Sequence, residues 1–134
     1  MRLVRPEQSW HILFPSRGER LCLQRLALRC GYRVCELCAE LDCNRNYLRE
    51  VFMRDIGLSP KEWMRWERMV VAGRKLAGGK APEEVAADLG FSSQNNFRRE
   101  FLAFYKVVPL RYQLDRWGHG EGRERDESQA AAES

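Results

Sequence analysis

The stretch FSSQNNFRREF, residues 91–101, decides the fold because it sets two phenylalanines four positions apart and fills the gap with amides and arginines. At about 100° per residue, Phe97, Phe101 and Phe104 fall on one side of a helix. The residues that then point away from this stripe are Asn95, Asn96 and Arg99. We predict an amphipathic helix with a buried aromatic stripe and an exposed polar face.

The pattern occurs twice in the chain. Four pairs lie 49 residues apart: Leu48 and Phe97, Phe52 and Phe101, Pro60 and Pro109, and Trp63 and Tyr112. Two pairs lie 48 residues apart: Ala39 and Ala87, and Leu41 and Leu89. We interpret the repeat as two tandem helix-turn-helix subdomains. We expect small residues of each first helix to face inward, namely Ala39, Ala86 and Ala87. Each turn should need a positive φ, which Gly90 adopts freely and Asp42 adopts at a cost.

Helix start and stop signals place about seven helices. Ser59-Pro60 and Pro82 are typical helix starts, and Gly78-Gly79 is a typical stop. The predicted helices are Glu19 to Cys30 with Leu21 and Leu28 on its apolar side, Val34 to Leu41, Arg45 to about Asp55, Pro60 to Ala77, Pro82 to about Leu89, Ser93 or Gln94 to Tyr105, and a short one from Pro109. Alternating β-branched residues are missing, so we predict an all-α fold with a long linker helix between the subdomains.

The predicted organisation has five segments. They are an irregular N-terminal arm (1–17), a first helix-turn-helix subdomain (18–58), a linker helix (59–79), a second helix-turn-helix subdomain (80–116) and an acidic tail (117–134). From Gly118 onward the tail lacks any large apolar residue, which is typical of disorder. Residues 1–116 hold 21 basic and 14 acidic residues, a net charge of +7, and the chain has 19 Arg against 4 Lys. This balance suits contact with phosphates and base edges.

The outward faces of the second helix of each subdomain predict contact with double-stranded DNA. In the second helix of the first subdomain, the residues expected to be buried are Tyr47, Leu48, Val51 and Phe52, and Met53 should face outward. Asn pairs with adenine and Arg with guanine in the major groove. The predicted base contacts are Asn46, Arg49, Glu50, Asn95, Asn96 and Arg99. The predicted phosphate contacts are Arg45, Ser92, Ser93, Gln94 and Arg98, with plain helix capping as the alternative for the three residues at 92–94.

Other functions have weaker signals. Cys35 and Cys38 form a C-x-x-C motif near Cys30 and Cys43, so a zinc or redox site is an alternative. We favour core cysteines and expect neither metal nor cofactor. Neither histidine lies beside a catalytic partner, so no catalytic residue is predicted and we expect no enzyme. Trp63 and Trp66 on the linker helix should pack between the two halves rather than line a ligand pocket. A protein-interaction module remains a further alternative, since Glu50 on a recognition face would repel phosphates.

The sequence resembles the AraC/XylS-type transcription activators. GFSSQNNFRREF, followed by VVP and a tyrosine, is similar to their C-terminal signature, and ELCAELDCNRNYLREVFMRDIGLSPKEW is similar to their other helix-turn-helix. The resemblance covers about residues 20 to 113. It implies seven helices, two recognition helices bridged by a linker helix with a basic residue at Arg68, an asymmetric promoter site and contact with RNA polymerase.

Two residues depart from the family pattern. Lys106 stands where the family has glycine, and a left-handed cap there should cost about 1 kcal/mol. Gly73 should cost about 1 kcal/mol inside the linker helix and let the halves bend. We found no signal peptide or membrane span, so we expect no membrane partner and a cytoplasmic, nucleoid-associated protein. The residues before the first helix are too few for a sensor domain, so we expect no small-molecule effector within this chain.

Overall fold

The computed structural model describes residues 1–6, 9–14 and 18–121, with only the backbone at 117–121. Within these residues the chain forms three short strands followed by seven helices. The strands are β1 (Arg2–Val4), β2 (His11–Phe14) and β3 (Glu19–Cys22). The helices are α1 (Leu23–Arg29), α2 (Val34–Leu41), α3 (Arg45–Asp55), α4 (Pro60–Ala77), α5 (Pro82–Asp88), α6 (Gln94–Tyr105) and α7 (Pro109–Glu121). Two compact units result, Met1–Arg68 and Met69–Ser134.

The predicted helical fold class and its seven helices are confirmed, and the structure adds a small three-stranded sheet at the N-terminus. A three-stranded sheet replaces the irregular arm predicted for residues 1–17. The strands pair antiparallel in the order β1-β2-β3, with Arg2 opposite Leu13 and Leu13 opposite Arg20. The sheet buries Leu3, Ile12 and Phe14. Strands of three or four residues are too short for an alternating pattern to stand out from the sequence.

The first helix is shorter than predicted because Glu19–Cys22 belongs to β3. Its apolar face also differs from the prediction. Leu21 is 41% exposed and Leu28 is 52% exposed, although both were expected on the apolar side. The residues of α1 that are buried are Leu23, Leu26 and Ala27.

The core of the first unit forms around α3. Leu48 and Phe52 are fully buried and Val51 nearly so. The ring of Trp63 from α4 meets Phe52 edge-on, with centroids 6.0 Å apart. Burial of each such side chain contributes about 1.5–3 kcal/mol, so these contacts fix which face of α3 points to solvent. The prediction for Trp66 was wrong, because its side chain is 56% exposed.

The two helix-turn-helix turns have the same backbone geometry. Asp42 has a φ of 54° and Gly90 a φ of 75°, so both predicted left-handed positions are confirmed. In the first turn Cys43 N donates to Cys38 O at 3.1 Å, and in the second Phe91 N donates to Ala86 O at 3.0 Å. These bonds close a Schellman motif at the end of α2 and of α5. The repeat therefore holds at the level of backbone hydrogen bonds.

Of the three small residues expected to face inward, Ala86 is buried as predicted and the other two are not. Ala39 and Ala87 are exposed, whereas Cys38 and Ala86 are buried. In a Schellman motif the side chains flanking the closing hydrogen bond contact each other. Cys38 and Ala86 occupy this position, which explains their burial.

The core of the second unit is an aromatic cluster. Phe97 and Phe101 are buried as predicted, but Phe104 is only half-buried. Phe101 lies 5.4 Å from Tyr112 and 4.4 Å from Tyr105, between ring centroids. The stripe predicted for α6 therefore continues through tyrosines rather than through Phe104.

Gly73 has a packing role that the sequence analysis did not predict. The helix α4 runs unbroken from Pro60 to Ala77. A Cβ at Gly73 would lie 2.6 Å from Tyr105 Oη and 3.0 Å from Tyr112 Oη. Tyr105 Oη donates to Met69 O at 2.8 Å, which holds the phenol against the helix. Glycine is therefore the residue that lets these rings approach α4.

The C-terminal end of α6 agrees with the sequence prediction, whereas that of α7 does not. Lys106 has a φ of 69° and closes α6, which confirms the predicted left-handed cap. The helix α7 is longer than the short helix predicted, since its backbone extends to Glu121 and includes the start of the predicted tail. The rest of that tail, 122–134, lies outside the described residues. No helix in the described part of the chain is long and apolar enough to cross a membrane.

Candidate nucleic-acid interface

The first candidate surface is the outward face of α3. Asn44 caps this helix by accepting from Tyr47 N at 2.8 Å. Leu48, Val51 and Phe52 anchor the opposite face in the core. The predicted outward residues are all exposed, namely Arg45, Asn46, Arg49, Glu50 and Met53. Tyr47 is 40% exposed and not buried as predicted, because it lies on the flank of the helix rather than on its core side.

The charge on this face is mixed. Ser59 and Glu62 form a capping box at the start of α4, with Ser59 N donating to Glu62 Oε1 at 2.9 Å and Glu62 N donating to Ser59 Oγ at 3.2 Å. Hydrogen bonds from Ser59 lower the pKa of Glu62, and the positive charge of Arg49 lowers it further. The face therefore carries the positive charge of Arg49 together with the negative charge of Glu50.

The second candidate surface is the outward face of α6. Ser93 caps the helix by accepting from Asn96 N at 3.0 Å, which is the capping alternative considered for this residue. Asn95, Arg98 and Arg99 are exposed and Asn96 is half-buried. The residues at 92–94 are exposed too.

A line of hydrogen bonds runs along this face. Asn96 Nδ2 donates to Ser92 Oγ at 3.3 Å, and Arg99 Nη2 donates to Asn96 Oδ1 at 2.9 Å. The carbonyl oxygen of Asn96 is thus occupied, and the guanidinium of Arg99 is held in one orientation. Asn95 keeps its amide exposed, so the two neighbouring asparagines have different surroundings.

The structure also shows an exposed residue that the sequence analysis missed. Leu102 is 44% exposed on the outward side of α6, and Met53 is 45% exposed on the outward side of α3. These residues are 49 positions apart, the offset of the repeat. Asn46 and Asn95 share the same offset. Applying the offset to the polar face, and not only to the core, would have found Leu102.

The cysteines fit core positions better than a metal site. Burial is the main cause that raises the pKa of Cys30 and of Cys43. A hydrogen bond with Cys38 raises the pKa of Cys43 further. A protonated thiol is a poor metal ligand. Cys35 is exposed on α2, whereas Cys38 is buried. In the described residues no group of three or more His, Cys, Asp or Glu side chains is arranged to hold a metal ion.

The basic residue of the linker helix has a defined neighbour. The guanidinium of Arg68 lies over the ring of Tyr32, 5.8 Å from its centroid. Tyr32 itself has a φ of 60° after Gly31, so the turn between α1 and α2 presents its ring to α4. This cation–π contact holds Arg68 within the first unit.

Comparison with known proteins gives a family match and several relatives. A family model described as "Helix-turn-helix domain" matches residues 37–114. The virulence regulon transcriptional activator VirF of Yersinia enterocolitica is 26% identical over 85 residues, which are 63% of this chain and 31% of that protein. The chain thus spans about a third of the length of this relative.

A second relative is closer in size. The multiple antibiotic resistance protein MarA of Salmonella typhimurium is 27% identical over 104 residues, covering 77% of this chain and 72% of that protein. Among solved structures, the DNA-binding domain of AdpA, determined with a target DNA, superposes with a TM-score of 0.63 at 24% identity. That match covers 71% of this chain and 89% of the AdpA chain, and it shows a shared fold.

Proposed function

The chain belongs to the AraC-type helix-turn-helix family of DNA-binding transcription regulators, and we propose that it binds double-stranded DNA sequence-specifically and regulates transcription. In this proposal α3 and α6 read adjacent segments of the major groove. The observation that carries it is the repeat of the exposed faces. Asn46 and Asn95, like Met53 and Leu102, occupy equivalent exposed positions on two helices that follow the same turn.

The proposed base contacts follow the chemistry of each side chain. Asn46 and Asn95 suit adenine N6 and N7, and Arg49 and Arg99 suit guanine O6 and N7. Glu50 suits cytosine N4, the one base-edge partner that makes a carboxylate favourable in the groove. Asn96 has its carbonyl oxygen bound by Arg99, so we propose that it reads the groove mainly by orienting that guanidinium.

The proposed phosphate contacts lie at the starts of the two helices and along their sides. Ser93 Oγ accepts from Asn96 N, which leaves its hydroxyl hydrogen for a phosphate oxygen. Capping and phosphate binding are therefore compatible at this residue. The full proposed set is Arg45, Ser92, Ser93, Gln94 and Arg98. The exposed apolar side chains of Met53 and Leu102 suit the methyl group of thymine.

The proposed mode of binding requires a particular distance between α3 and α6. Two helices that read successive major-groove segments must lie about 34 Å apart, one turn of B-form DNA. Contact with RNA polymerase is a part of the proposal that follows from the family resemblance, and action at the nucleoid is a part that follows from DNA binding. The competing interaction module would keep the fold without groove contacts.

A binding titration with a matched control tests the proposal. We expect Arg99→Ala to weaken binding to a selected site by about 1–3 kcal/mol and to relax the preference at one guanine. The control Arg111→Ala removes the same charge from α7, where Arg111 pairs with Asp115 at 3.0 Å, and should leave the preference unchanged. Fluorescence anisotropy with site and random duplexes measures both. Binding of wild type without steep salt dependence, or equal effects of the two variants, would contradict the proposal.

A further inference from the structure

Three hydrogen bonds join the first residues of the chain, Met1 and Leu3, to one flank of α3. Leu3 N donates to Asp55 Oδ2 at 2.8 Å, and Arg54 Nη2 donates to Met1 O at 2.9 Å. The amino group of Met1 donates to Tyr47 Oη at 3.3 Å. The N-terminal residues are therefore bonded to α3 near its start, at Tyr47, and at its end, at Arg54 and Asp55.

The flank has a definite place on the helix. Tyr47 and Arg54 are seven residues apart and lie on one line along α3. At about 100° per residue, this line lies between the exposed face around Asn46 and the buried face around Leu48. An α-helix about 10–12 Å wide fills a major groove about 12 Å wide, so its flanks face the phosphate walls. The Tyr47–Arg54 line would therefore face one sugar-phosphate backbone.

Arg54 is held in place on this flank. Its Nε and Nη2 atoms both lie 2.8 Å from the carboxylate of Asp55, and Nη2 also donates to Met1 O. Among the described residues these contacts use Nε and Nη2, which leaves Nη1 for another acceptor. The side chain of Arg54 is 57% exposed, whereas that of Asp55 is 11% exposed. A guanidinium fixed in this way needs little further ordering to bind a phosphate.

A second arginine belongs to β1, the strand whose backbone donates to Asp55. Arg2 is exposed on β1, the next residue to Leu3. The hydrogen bond from Arg54 lowers the pKa of Asp55 to about 2, and the charge of Arg2 contributes to this lowering. The cluster of Arg2, Arg54 and Asp55 has two positive charges against one negative charge, and its carboxylate is the most buried of the three. The exposed part of the cluster is positive.

We propose that Arg2 and Arg54 form a phosphate-binding surface that grips the DNA backbone at one wall of the groove entered by α3. This inference rests on the proposed function, and it gives the N-terminal sheet a role in binding. The sheet precedes residue 37, where the family match begins, so the surface lies partly outside the matched domain. The simpler alternative is that Arg54 only ties β1 to α3.

Salt dependence separates the two alternatives. Each phosphate contact contributes about 0.9 to the slope of log affinity against log salt. Removing one contact should therefore make the loss of affinity between 50 and 200 mM salt about threefold smaller. We expect this change with Arg2→Ala and with Arg54→Ala on a random duplex, with equal effects on different sequences. The side chain of Arg2 makes no hydrogen bond or ion pair within the described residues, and its backbone pairs with Leu13 whatever the side chain, so Arg2→Ala decides the matter if Arg54→Ala destabilises the fold.

Arg20→Ala is the matched control. Arg20 is exposed on the same face of the sheet but lies two strands away, roughly 10 Å from β1. The slope of log affinity against log salt for Arg20→Ala should equal that of wild type. Unchanged slopes in Arg2→Ala and Arg54→Ala would overturn the inference and leave the proposed function intact. An equal decrease with Arg20→Ala would also overturn it, because the effect would then follow net charge. A wild type without salt-dependent binding would refute the proposed function itself.

Discussion

Replacement of Gly73 by alanine tests the packing inside the second unit, where Tyr105 approaches the last two turns of α4. Helix propensity alone predicts that Gly73→Ala stabilises the protein by about 1 kcal/mol. The structure predicts the opposite sign. The new Cβ would lie 2.6 Å from Tyr105 Oη, about 0.8 Å closer than ordinary contact at 3.4 Å. Tyr105 has little room to retreat, because its ring lies 4.4 Å from Phe101 and 4.9 Å from Tyr112.

The cost has two parts. Overpacking of this kind costs about 1–3 kcal/mol, and a displaced phenol would lose its hydrogen bond to Met69 O, worth about 1 kcal/mol. Burial raises the pKa of Tyr105 to about 12, as expected for a hydroxyl removed from water. After the gain in helix propensity, we expect Gly73→Ala to destabilise the fold by about 1–3 kcal/mol. That corresponds to a fall in Tm of roughly 3–15 °C.

Thermal and urea unfolding of three variants checks this reasoning. Gly78→Ala is the control, because its Cβ would meet nothing closer than Arg74 O at 3.4 Å, and it should be neutral or stabilising. Tyr105→Phe removes the closest clashing atom, so Gly73→Ala should cost less in that background. A Gly73→Ala protein as stable as wild type, or a cost that stays the same in the Tyr105→Phe background, would refute the proposed contact.

Three further variants test other parts of the structure. Phe101→Ala should lower stability by about 3–5 kcal/mol, because it empties the centre of the aromatic cluster, and an unshifted Tm would contradict the core assignment. Lys106→Gly should raise stability by about 1 kcal/mol by relieving the left-handed φ of 69°, and urea unfolding would show it. The pKa of Asp55 is about 2 in the folded protein, against an ordinary value of 3.8. Its stabilisation is therefore complete above pH 4 and lost as the pH falls towards 2, so wild type should lose stability over this window more steeply than Asp55→Asn, and parallel pH profiles would count against the ion pair.

Local signals predicted most of the helices. Ser59-Pro60 and the capping residue Ser93 mark helix starts whose hydrogen bonds are visible in the structure. The positive φ of Asp42 followed from the repeat, because its partner at the equivalent turn is Gly90. Each of these features depends on residues within one or two turns of chain, which is the range over which sequence patterns act.

The sheet and the role of Gly73 could not be predicted in this way. The edge of β1 is held by Asp55, 52 residues from Leu3, and no local pattern reports such a contact. Gly73 was interpreted as a weak point in a helix because its partner, Tyr105, is far along the chain. Long-range contacts of this kind decide where glycine is needed and where a short strand is stable.

The candidate site was predictable in outline but not in detail. The exposed faces of α3 and α6 followed from helical periodicity, and their predicted outward residues are exposed except for Asn96, which is half-buried. The bond between Arg99 and Asn96 joins residues three apart, and that spacing alone allows the contact without requiring it. Leu102 was missed because the 49-residue offset was applied to the core positions and not to the exposed face.

Selection of binding sites from a random duplex library tests the central claim most directly, that α3 and α6 each read one major-groove segment. Wild type should enrich two sequence blocks about 10 bp apart, centre to centre. Asn46→Ala should lose the preference in one block and Asn95→Ala in the other, while both proteins unfold at the wild-type Tm. Enrichment of no sequence, or loss of the same block in both variants, would contradict the account.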